Sequence, residues 1–405
     1  MIRIRQRISA PRIEDVTGAV SQEVSRLSLE AKLRPGDTVA VTAGSRGIPQ
    51  IDLITRRVIE ALHGLGANPF IVPAMGSHGG ATAQGQVKVL AQYGISEASM
   101  GVSIRSSMNV VRMGTSPFGF PVYTDKHTSE AQHIVLINRI KPHTRFSGRI
   151  ESGLVKMLLV GLGKHQGAQL YHRAVLEYPW EEIVNCVAPI LLQRLPILFG
   201  LAILENARGE VVGLRALLPE EFLDKEPQLL ERSFQLMAKL PFKEADLLIV
   251  DEMGKDISGT GMDTTIIGRK GDERVKIKRI FVRDLTDKSE GNACGIGLAD
   301  FTTRRLVDKI NLTDTYVNCI AALRPEGAKI PITYDTDREA LEQALSTLGL
   351  VSPEETRAMW IKNTRDLETL RVSEAYGNEL EARRDLEVLS PPEEIKLDPR
   401  GNLIP

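Results

Sequence analysis

Short runs of apolar residues alternate along this chain with stretches in which apolar residues recur at helical spacing. The strand-like runs of the first half lie at residues 38–44, 69–76, 133–140, 199–206 and 210–217. After the first run, residues 51–66 repeat apolar positions at helical spacing and end in glycine, and residues 82–94 follow the second run in the same way. This alternation predicts an α/β fold, with helices packed on largely parallel sheets.

The pattern begins afresh near Leu240, which predicts a second domain. A long helical stretch leads into a polar connection, and residues 246–254 then start a new strand pattern. We therefore expect two α/β domains with mostly parallel sheets, at residues 1–240 and 241–405, and an active site in the cleft between them. The second domain ends in a proline-rich, charged segment that we expect to form an extended tail.

Composition and charge exclude several classes of protein and agree with two α/β domains. A length of 405 residues suits two domains, and a formal net charge of −1 offers no basic excess for nucleic acid. The three cysteines lack Cys-x-x-Cys spacing, which suits a reducing cytosol. Arg194 and two prolines interrupt the longest apolar run, at 187–204, and the first residues lack the apolar region of a signal peptide. We expect a cytoplasmic protein that binds neither nucleic acid nor membrane.

Three loops that follow predicted strands carry basic side chains: Arg46 in "AGSRG", His78 in "MGSHGG" and His143 in "RIKPHTRFSG". Ligands of open α/β sheets bind beyond the carboxyl ends of the strands, so these loops are candidate parts of one site. Arginine can grip a carboxylate with two hydrogen bonds, and two histidines across a cleft can serve as acid and base. The alternatives are a surface ion pair for Arg46, a structural glycine turn for His78 and a solvated loop for His143.

A lysine occupies an apolar run in "VKMLLVGLGKHQGAQLYHR", which begins at Val155 and predicts helix, a glycine break and more helix. A buried, unpaired ammonium is costly, so Lys156 either extends to the surface or has a chemical role. His165 and His172 lie two helical turns apart, without the spacing of a zinc-binding pair. Either of them could still give one imidazole to a metal held mainly by another group.

In the second half, the glycine-rich loop "DEMGKDISGTGMDTTIIGR" follows a predicted strand. Thr260, Asp263 and Arg269 could contact a substrate there. The glycines are a weak signal for phosphate binding because no Lys-Ser pair completes a phosphate loop. A purely structural loop fits the same residues.

Taken together, these segments resemble the lactate racemase family, whose enzymes use a nickel-pincer nucleotide (pyridinium-3-thioamide-5-thiocarboxylic acid mononucleotide) with Ni²⁺. The resemblance is strongest in residues 37–175. It implies that Lys156 is joined covalently to the cofactor and that His172 is the protein ligand to nickel. It further implies cofactor contacts at Ser147 and Gly153 and a requirement for the proteins that make the cofactor.

The resemblance also implies the chemistry. His78 and His143 would be the two bases on opposite sides of the α-carbon of a 2-hydroxy acid, while hydride moves to and from the cofactor. Arg46, Thr260 and Asp263 would be the substrate-binding residues.

Three features depart from the family pattern. Ala43 stands where the family has an acidic residue, and the interval from His143 to Lys156 is longer than expected. Thr260 and Gly261 stand where lactate racemases have a tyrosine and a glutamine. The smaller residues imply a substrate larger or more polar than lactate, such as a sugar acid or a hydroxy diacid.

Two other functions are compatible with an α/β fold. A nicotinamide-dependent dehydrogenase lacks support, because no Gly-x-Gly-x-x-Gly follows the first strand with an acidic residue about twenty positions later. A non-catalytic protein that binds a carboxylate or the cofactor would keep the same fold and site.

Overall fold

The predicted strand-like runs form strands, and most of their side chains are buried. The computed structural model describes residues 1–8, 11–45, 47–271 and 274–404; Arg46 lies outside these ranges. The strands, in chain order, are β1 (Ile2–Gln6), β2 (Thr38–Ala43), β3 (Asn68–Pro73), β4 (Val110–Thr115), β5 (Pro121–Asp125), β6 (His133–Arg139), β7 (Ile197–Glu205), β8 (Val211–Leu217), β9 (Glu244–Met253), β10 (Lys276–Leu285), β11 (Phe301–Thr303), β12 (Ile332–Tyr334), β13 (Ala358–Ile361), β14 (Thr369–Val372) and β15 (Leu386–Val388).

Helices connect most of these strands. They are α1 (Val16–Ser25), α2 (Ile51–Gly64), α3 (Ala83–Gln92), α4 (Glu97–Met100), α5 (Lys126–Glu130), α6 (Leu154–Lys156), α7 (Lys164–Ala174), α8 (Trp180–Arg194), α9 (Phe222–Leu236), α10 (Arg304–Val307), α11 (Leu312–Ala321), α12 (Asp337–Ser346) and α13 (Gly377–Ala382). In the described part of the chain, no helix combines the length and the apolar composition needed to cross a bilayer.

Two units make up the chain. The N-terminal unit is Ala10–Met237, and the C-terminal unit is Met1–Ser9 together with Ala238–Pro405. The boundary expected from the sequence lies at residue 240. Strand β1, expected in the first domain, belongs to the C-terminal unit because it pairs with β14 and β15.

The N-terminal unit is built on a five-stranded sheet of order β3-β2-β6-β7-β8. The first four strands run parallel, and β8 pairs antiparallel with β7. Alternate residues of β2 point to opposite faces: Val39 and Val41 pack in one core, and Ala40 packs in the other. Burial of both faces explains why these strands read as continuous apolar runs.

The C-terminal unit contains an eight-stranded sheet of order β12-β11-β10-β9-β13-β14-β1-β15. Strands β12 to β13 in that order are parallel, and the remaining pairs are antiparallel. The prediction of an α/β protein with mostly parallel sheets is confirmed. The active site in a cleft between the domains stays a prediction.

A buried arginine ties the end of the chain to the C-terminal sheet. Arg283 on β10 pairs with Asp337 at 2.7 Å and with Asp251, and it donates to the carbonyl oxygen of Leu403 at 2.6 Å. Asp337 is fully buried and also accepts the Leu403 N–H at 2.9 Å. The tail residue Leu403 is therefore held by main-chain hydrogen bonds to buried charges.

Arg283→Met should lower the free energy of unfolding by about 3 kcal/mol, because it removes the buried cation between Asp337 and Asp251 and leaves Asp337 with the partly exposed Arg305. Urea unfolding followed by tryptophan fluorescence measures the change. Arg304→Met is the matched control: that arginine is 56% exposed and its pair with Asp335 spans 3.7 Å, so the expected loss is about 0.5 kcal/mol or less. Equal effects of the two substitutions would contradict the role given to Arg283.

Candidate functional site

The loops after β3, β2 and β6 lie side by side, because these three strands are adjacent and parallel. His78 follows β3 and His143 follows β6, so both lie at the carboxyl edge of the N-terminal sheet. Arg46 follows β2, between them in strand order, but is outside the described residues. The sequence predicts that the basic side chains follow neighbouring strands, and the carboxyl edge of this sheet is where these strands end.

His78 is exposed and lies in a glycine-rich loop. Gly76, Gly79 and Gly80 all have positive φ, a conformation that other residues rarely adopt. The His78 N–H donates to the carbonyl oxygen of Met75 at 3.1 Å. Helix α3 then begins after Thr82, whose hydroxyl accepts the Gly85 N–H at 3.0 Å, in agreement with the helix start expected there.

His143 is held by its own turn. Its Nδ1 accepts two backbone N–H groups, from Arg145 at 3.1 Å and from Phe146 at 3.0 Å. Its backbone N–H donates to Glu151 at 2.9 Å. Since Nδ1 is an acceptor, the neutral ring carries its proton on Nε2. In this arrangement His143 presents a hydrogen-bond donor, and it can take up a proton at Nε2 only after the turn releases Nδ1.

Phe146 is the centre of a cluster that joins three of the predicted site residues. Its ring stacks with His143 at 4.5 Å and with Trp180 at 4.2 Å between centroids. The Lys156 ammonium lies 4.8 Å from the Phe146 centroid, and the His172 ring lies 6.1 Å from it. We call these five residues the Phe146 cluster. Ser147 follows Phe146 and is exposed.

His172 is neutral at physiological pH. Burial lowers its pKa to about 4, and the positive charges of Arg145 and Lys156 act in the same direction. The Arg145 guanidinium lies 3.2 Å from His172 Nδ1, and because a guanidinium only donates, this nitrogen is the acceptor. Arg145 therefore occupies a lone pair that a metal ion would use, and it has to move before His172 coordinates through that nitrogen.

Lys156 and His172 lie on one helical segment with an unusual turn. Helix α6 ends at Lys156, a π-helical turn occupies Met157–Gly161, and α7 follows. The Leu162 N–H donates to the Met157 carbonyl oxygen at 2.9 Å, five residues back. Turns of this type are frequent at functional sites. The sequence predicts helix, a glycine break and more helix here, and the structure has two helices separated by the π-helical turn.

Glu226 on α9 caps the start of this segment and is not among the site residues predicted from the sequence. Its Oε2 accepts the Val155 N–H at 3.1 Å, and its side chain is fully buried. Burial raises the pKa of Glu226 to about 8. Gly153 has a φ of 116°, and a Cβ there would lie 2.3 Å from Glu226 Oε1, so only glycine fits. The sequence does contain a signal for Glu226, because it lies four residues after Phe222 and four before Leu230, on the apolar face of α9.

The predicted substrate loop of the C-terminal unit is held by its own contacts. Thr260 Oγ1 donates to the Met262 carbonyl oxygen at 2.5 Å, and Asp263 Oδ1 accepts the Thr265 N–H at 3.0 Å. Both residues lie beyond the carboxyl end of β9. Arg269 instead donates to the Ile277 carbonyl oxygen at 2.7 Å, near the start of β10. Thr260 and Asp263 thus lie on the same loop, where the backbone of Arg269 is also tied by a hydrogen bond to the Thr264 carbonyl oxygen at 3.0 Å, while the Arg269 side chain contacts β10.

The described residues that could bind a metal ion do not cluster. Among the described residues, no group of three or more His, Cys, Asp or Glu side chains is arranged to hold a metal ion. His172 thus offers a single imidazole, as expected from the sequence, and further ligands to a metal would come from a bound group.

The matched region of the chain contains the whole Phe146 cluster. Residues 6–183 match the model of the lactate racemase N-terminal domain. This part of the chain is therefore similar to the N-terminal domain of lactate racemases. The resemblance noted in the sequence is thereby confirmed, and it supports racemase or epimerase activity as the general class. Comparison with curated proteins gives no match.

The fold of the whole chain is similar to that of the lactate racemase apoprotein from Thermoanaerobacterium thermosaccharolyticum. The TM-score is 0.51, with 16% sequence identity over 95% of this chain and 96% of that chain. At this level of identity the similarity concerns the fold.

Glu226 should make stability depend on pH. Its pKa of about 8, against 4.5 for the ordinary carboxyl, means that the folded protein keeps a proton that the unfolded chain loses. The free energy of unfolding should therefore fall as pH rises from about 4.5 to 8, by a few kcal/mol. Glu226→Gln keeps the acceptor for Val155 and should remove this part of the slope.

Urea unfolding at several pH values measures the slope. Glu231→Gln changes an exposed glutamate on the same helix and should leave the wild-type slope unchanged. Parallel slopes for wild type and Glu226→Gln would show that Glu226 is ionised in the folded protein.

Proposed function

We propose that the protein is a racemase or epimerase that inverts the α-carbon of a 2-hydroxy acid, with a nickel-pincer nucleotide joined to Lys156. The observation that carries the proposal is the Phe146 cluster, in which a lysine and a neutral histidine of one helical segment and a second histidine from the loop after β6 surround one aromatic ring. When bound, the nucleotide supplies hydride transfer from and to the α-carbon.

The residues present fit such a group. His172 would hold the nickel, since burial keeps its imidazole neutral. Acylation of Lys156 would remove its positive charge, one of the two charges that lower the pKa of His172. Arg145 would leave His172 Nδ1 and would then be a cation beside the site. The aromatic side chains of Phe146 and Trp180 would limit the access of water.

His78 and His143 would exchange the hydroxyl proton from the two sides of the substrate. His78, exposed on a glycine loop at the carboxyl edge of the sheet, would reach the substrate from one side. His143 would first donate a hydrogen bond from Nε2, and it would act as a base once the turn at 143–146 releases Nδ1. Hydrogen bonds of catalytic residues are often incomplete before substrate binds.

The substrate would be longer and more polar than lactate. Arg46 would bind its carboxylate through two parallel hydrogen bonds. Thr260 and Asp263 would contact its distal part, and the Asp263 carboxylate, which only accepts, favours substrate hydroxyls. Buried polar groups left unpaired by a methyl group cost about 1–3 kcal/mol each, which disfavours lactate.

Protein produced together with the cofactor-biosynthesis proteins should carry a mass adduct on Lys156 and bound nickel. His172→Ala should keep the adduct and lose most of the nickel, because the tether is independent of the metal ligand. His165→Ala, on the same helix, should keep both. Peptide mass spectrometry with metal analysis measures these outcomes, and an unmodified Lys156 peptide from active protein would overturn the proposal.

His78→Ala and His143→Ala should each lower inversion in both directions by about 10²-fold or more, since each turnover uses both proton-transfer sites. His63→Ala changes an exposed histidine and should have no effect. Chiral analysis of a panel containing lactate, sugar acids and hydroxy diacids measures the rates. In deuterated water the α-carbon should retain its hydrogen; rapid deuteration there would indicate proton abstraction instead.

A further inference from the structure

Lys164 is a fully buried lysine to which the proposed reaction gives no role. It begins α7 with a φ of 53°, a left-handed conformation that non-glycine residues rarely adopt. Its ammonium donates to the Pro73 carbonyl oxygen and to Gln86 Oε1 at 3.2 Å, and it pairs with the fully buried Asp125 at 3.4 Å. Burying a charge and straining the backbone both cost free energy, and a buried ion pair is weak evidence for stability. The arrangement therefore indicates a role in positioning.

Gln86 on α3 transmits the position of this ammonium to the His78 loop. A lysine ammonium only donates, so Gln86 Oε1 must face Lys164 and Nε2 must point away from it. Nε2 then donates to the carbonyl oxygens of Gly76 at 2.9 Å and His78 at 3.3 Å. Gln86 is fully buried, so these partners replace water for its amide.

The His78 loop needs such fixing because its backbone is unusually free. Gly76, Gly79 and Gly80 give it three residues without side chains at positive φ. A second tie runs to the same segment as Lys164, since the Gly76 N–H donates to the Gly161 carbonyl oxygen at 3.1 Å. Both ties connect the loop to the segment that carries Lys156 and His172.

We propose that Lys164 and Gln86 are positioning residues that hold the His78 loop in register with helix α7. The proposal rests on the proposed function only for the catalytic role of His78. Asp125 compensates the buried charge of Lys164, and its other oxygen caps α5 by accepting the Thr128 N–H at 2.9 Å. The competing explanation is an ion pair that contributes stability alone, in which case the loop would not depend on the Gln86 amide.

Hydrogen–deuterium exchange of the full-length protein without cofactor tests the proposal on peptides that cover residues 74–81. Gln86→Glu keeps an acceptor for Lys164 but loses both donors to the loop. We expect the protected amides of Gly76, His78 and Ala81 to exchange about tenfold faster or more. Gln84→Glu makes the same chemical change on the exposed face of α3 and should leave exchange unchanged.

A second variant separates positioning from folding. Lys164→Met combined with Asp125→Asn removes both charges together, so no unpaired charge remains buried. We expect its melting temperature to stay near that of the wild type while residues 74–81 again exchange about tenfold faster, because Gln86 has lost the ammonium that orients it. Exchange within about twofold of the wild type in this variant would overturn the proposal, whether or not Gln86→Glu folds.

The exchange measurement is independent of the reaction. If His78→Ala retained full inversion, the proposed role of His78 would fail, while faster exchange in both variants would still establish the positioning of its loop. With cofactor-loaded enzyme, the charge-free double variant should lower kcat about tenfold and change KM by less than about twofold, since misplacement of a reacting group acts on the chemical step.

Discussion

The candidate site depends on a close approach between two backbone segments. Gly161, in the π-helical turn, packs so tightly against the chain after β3 that a Cβ there would lie 2.6 Å from the Ala74 carbonyl oxygen. Glycine at this position lets the helical segment contact the sheet edge directly, which brings Met157 to the end of β2, where its sulfur accepts the Thr42 hydroxyl at 2.9 Å. Lys156 and His172 are placed by this contact. A larger residue at 161 would separate the segment from the edge that carries His78.

Ionisable groups around this contact are arranged so that few of them carry an uncompensated charge in the interior. Burial keeps Glu226 protonated and His172 neutral at pH 7. Burial also shifts the pKa of Asp125 upward and that of Lys164 downward, while their mutual attraction opposes both shifts. The half-buried Lys156 interacts with an aromatic face, which attracts a cation without neutralising it. The proposed acylation, which would remove this charge, would therefore take place beside groups that are already neutral or paired.

The sequence predicted the features that follow from local periodicity. The strands that end at Ala43, Pro73 and Arg139 are apolar runs, and their parallel pairing brings together the loops that the strand-end rule selects. Lys156 was noticeable because it interrupts an apolar stretch. The antiparallel hairpin of β4 and β5 was not predicted, since its exposed side chains give no continuous apolar run.

Other features depend on contacts between distant residues, which periodicity does not report. In the sequence, Phe146 is an ordinary loop phenylalanine, and its role as a packing centre depends on the ring of Trp180 from α8. Strand β1 joins the C-terminal sheet through residues near 370 and 387, a pairing that no local pattern encodes. The left-handed conformation of Lys164 accompanies contacts with Pro73, Gln86 and Asp125, which are distant in sequence. Arg145 is likewise defined by its contact with His172 across the fold.

The π-helical turn between Lys156 and His172 determines the relative direction of these two side chains, which the number of residues between them does not determine by itself. Each residue of an α-helix advances the direction of side chains by about 100°, and a π turn accommodates one residue more than an α turn. Deletion of one residue within Met157–Gly161 would let the segment close as an α-helix and would rotate everything after it by about that angle. His172 would then leave the face that contacts Phe146, although both residues remained. Length changes in this segment therefore act as rotations of the histidine, and relatives with a different interval are expected to carry a compensating turn.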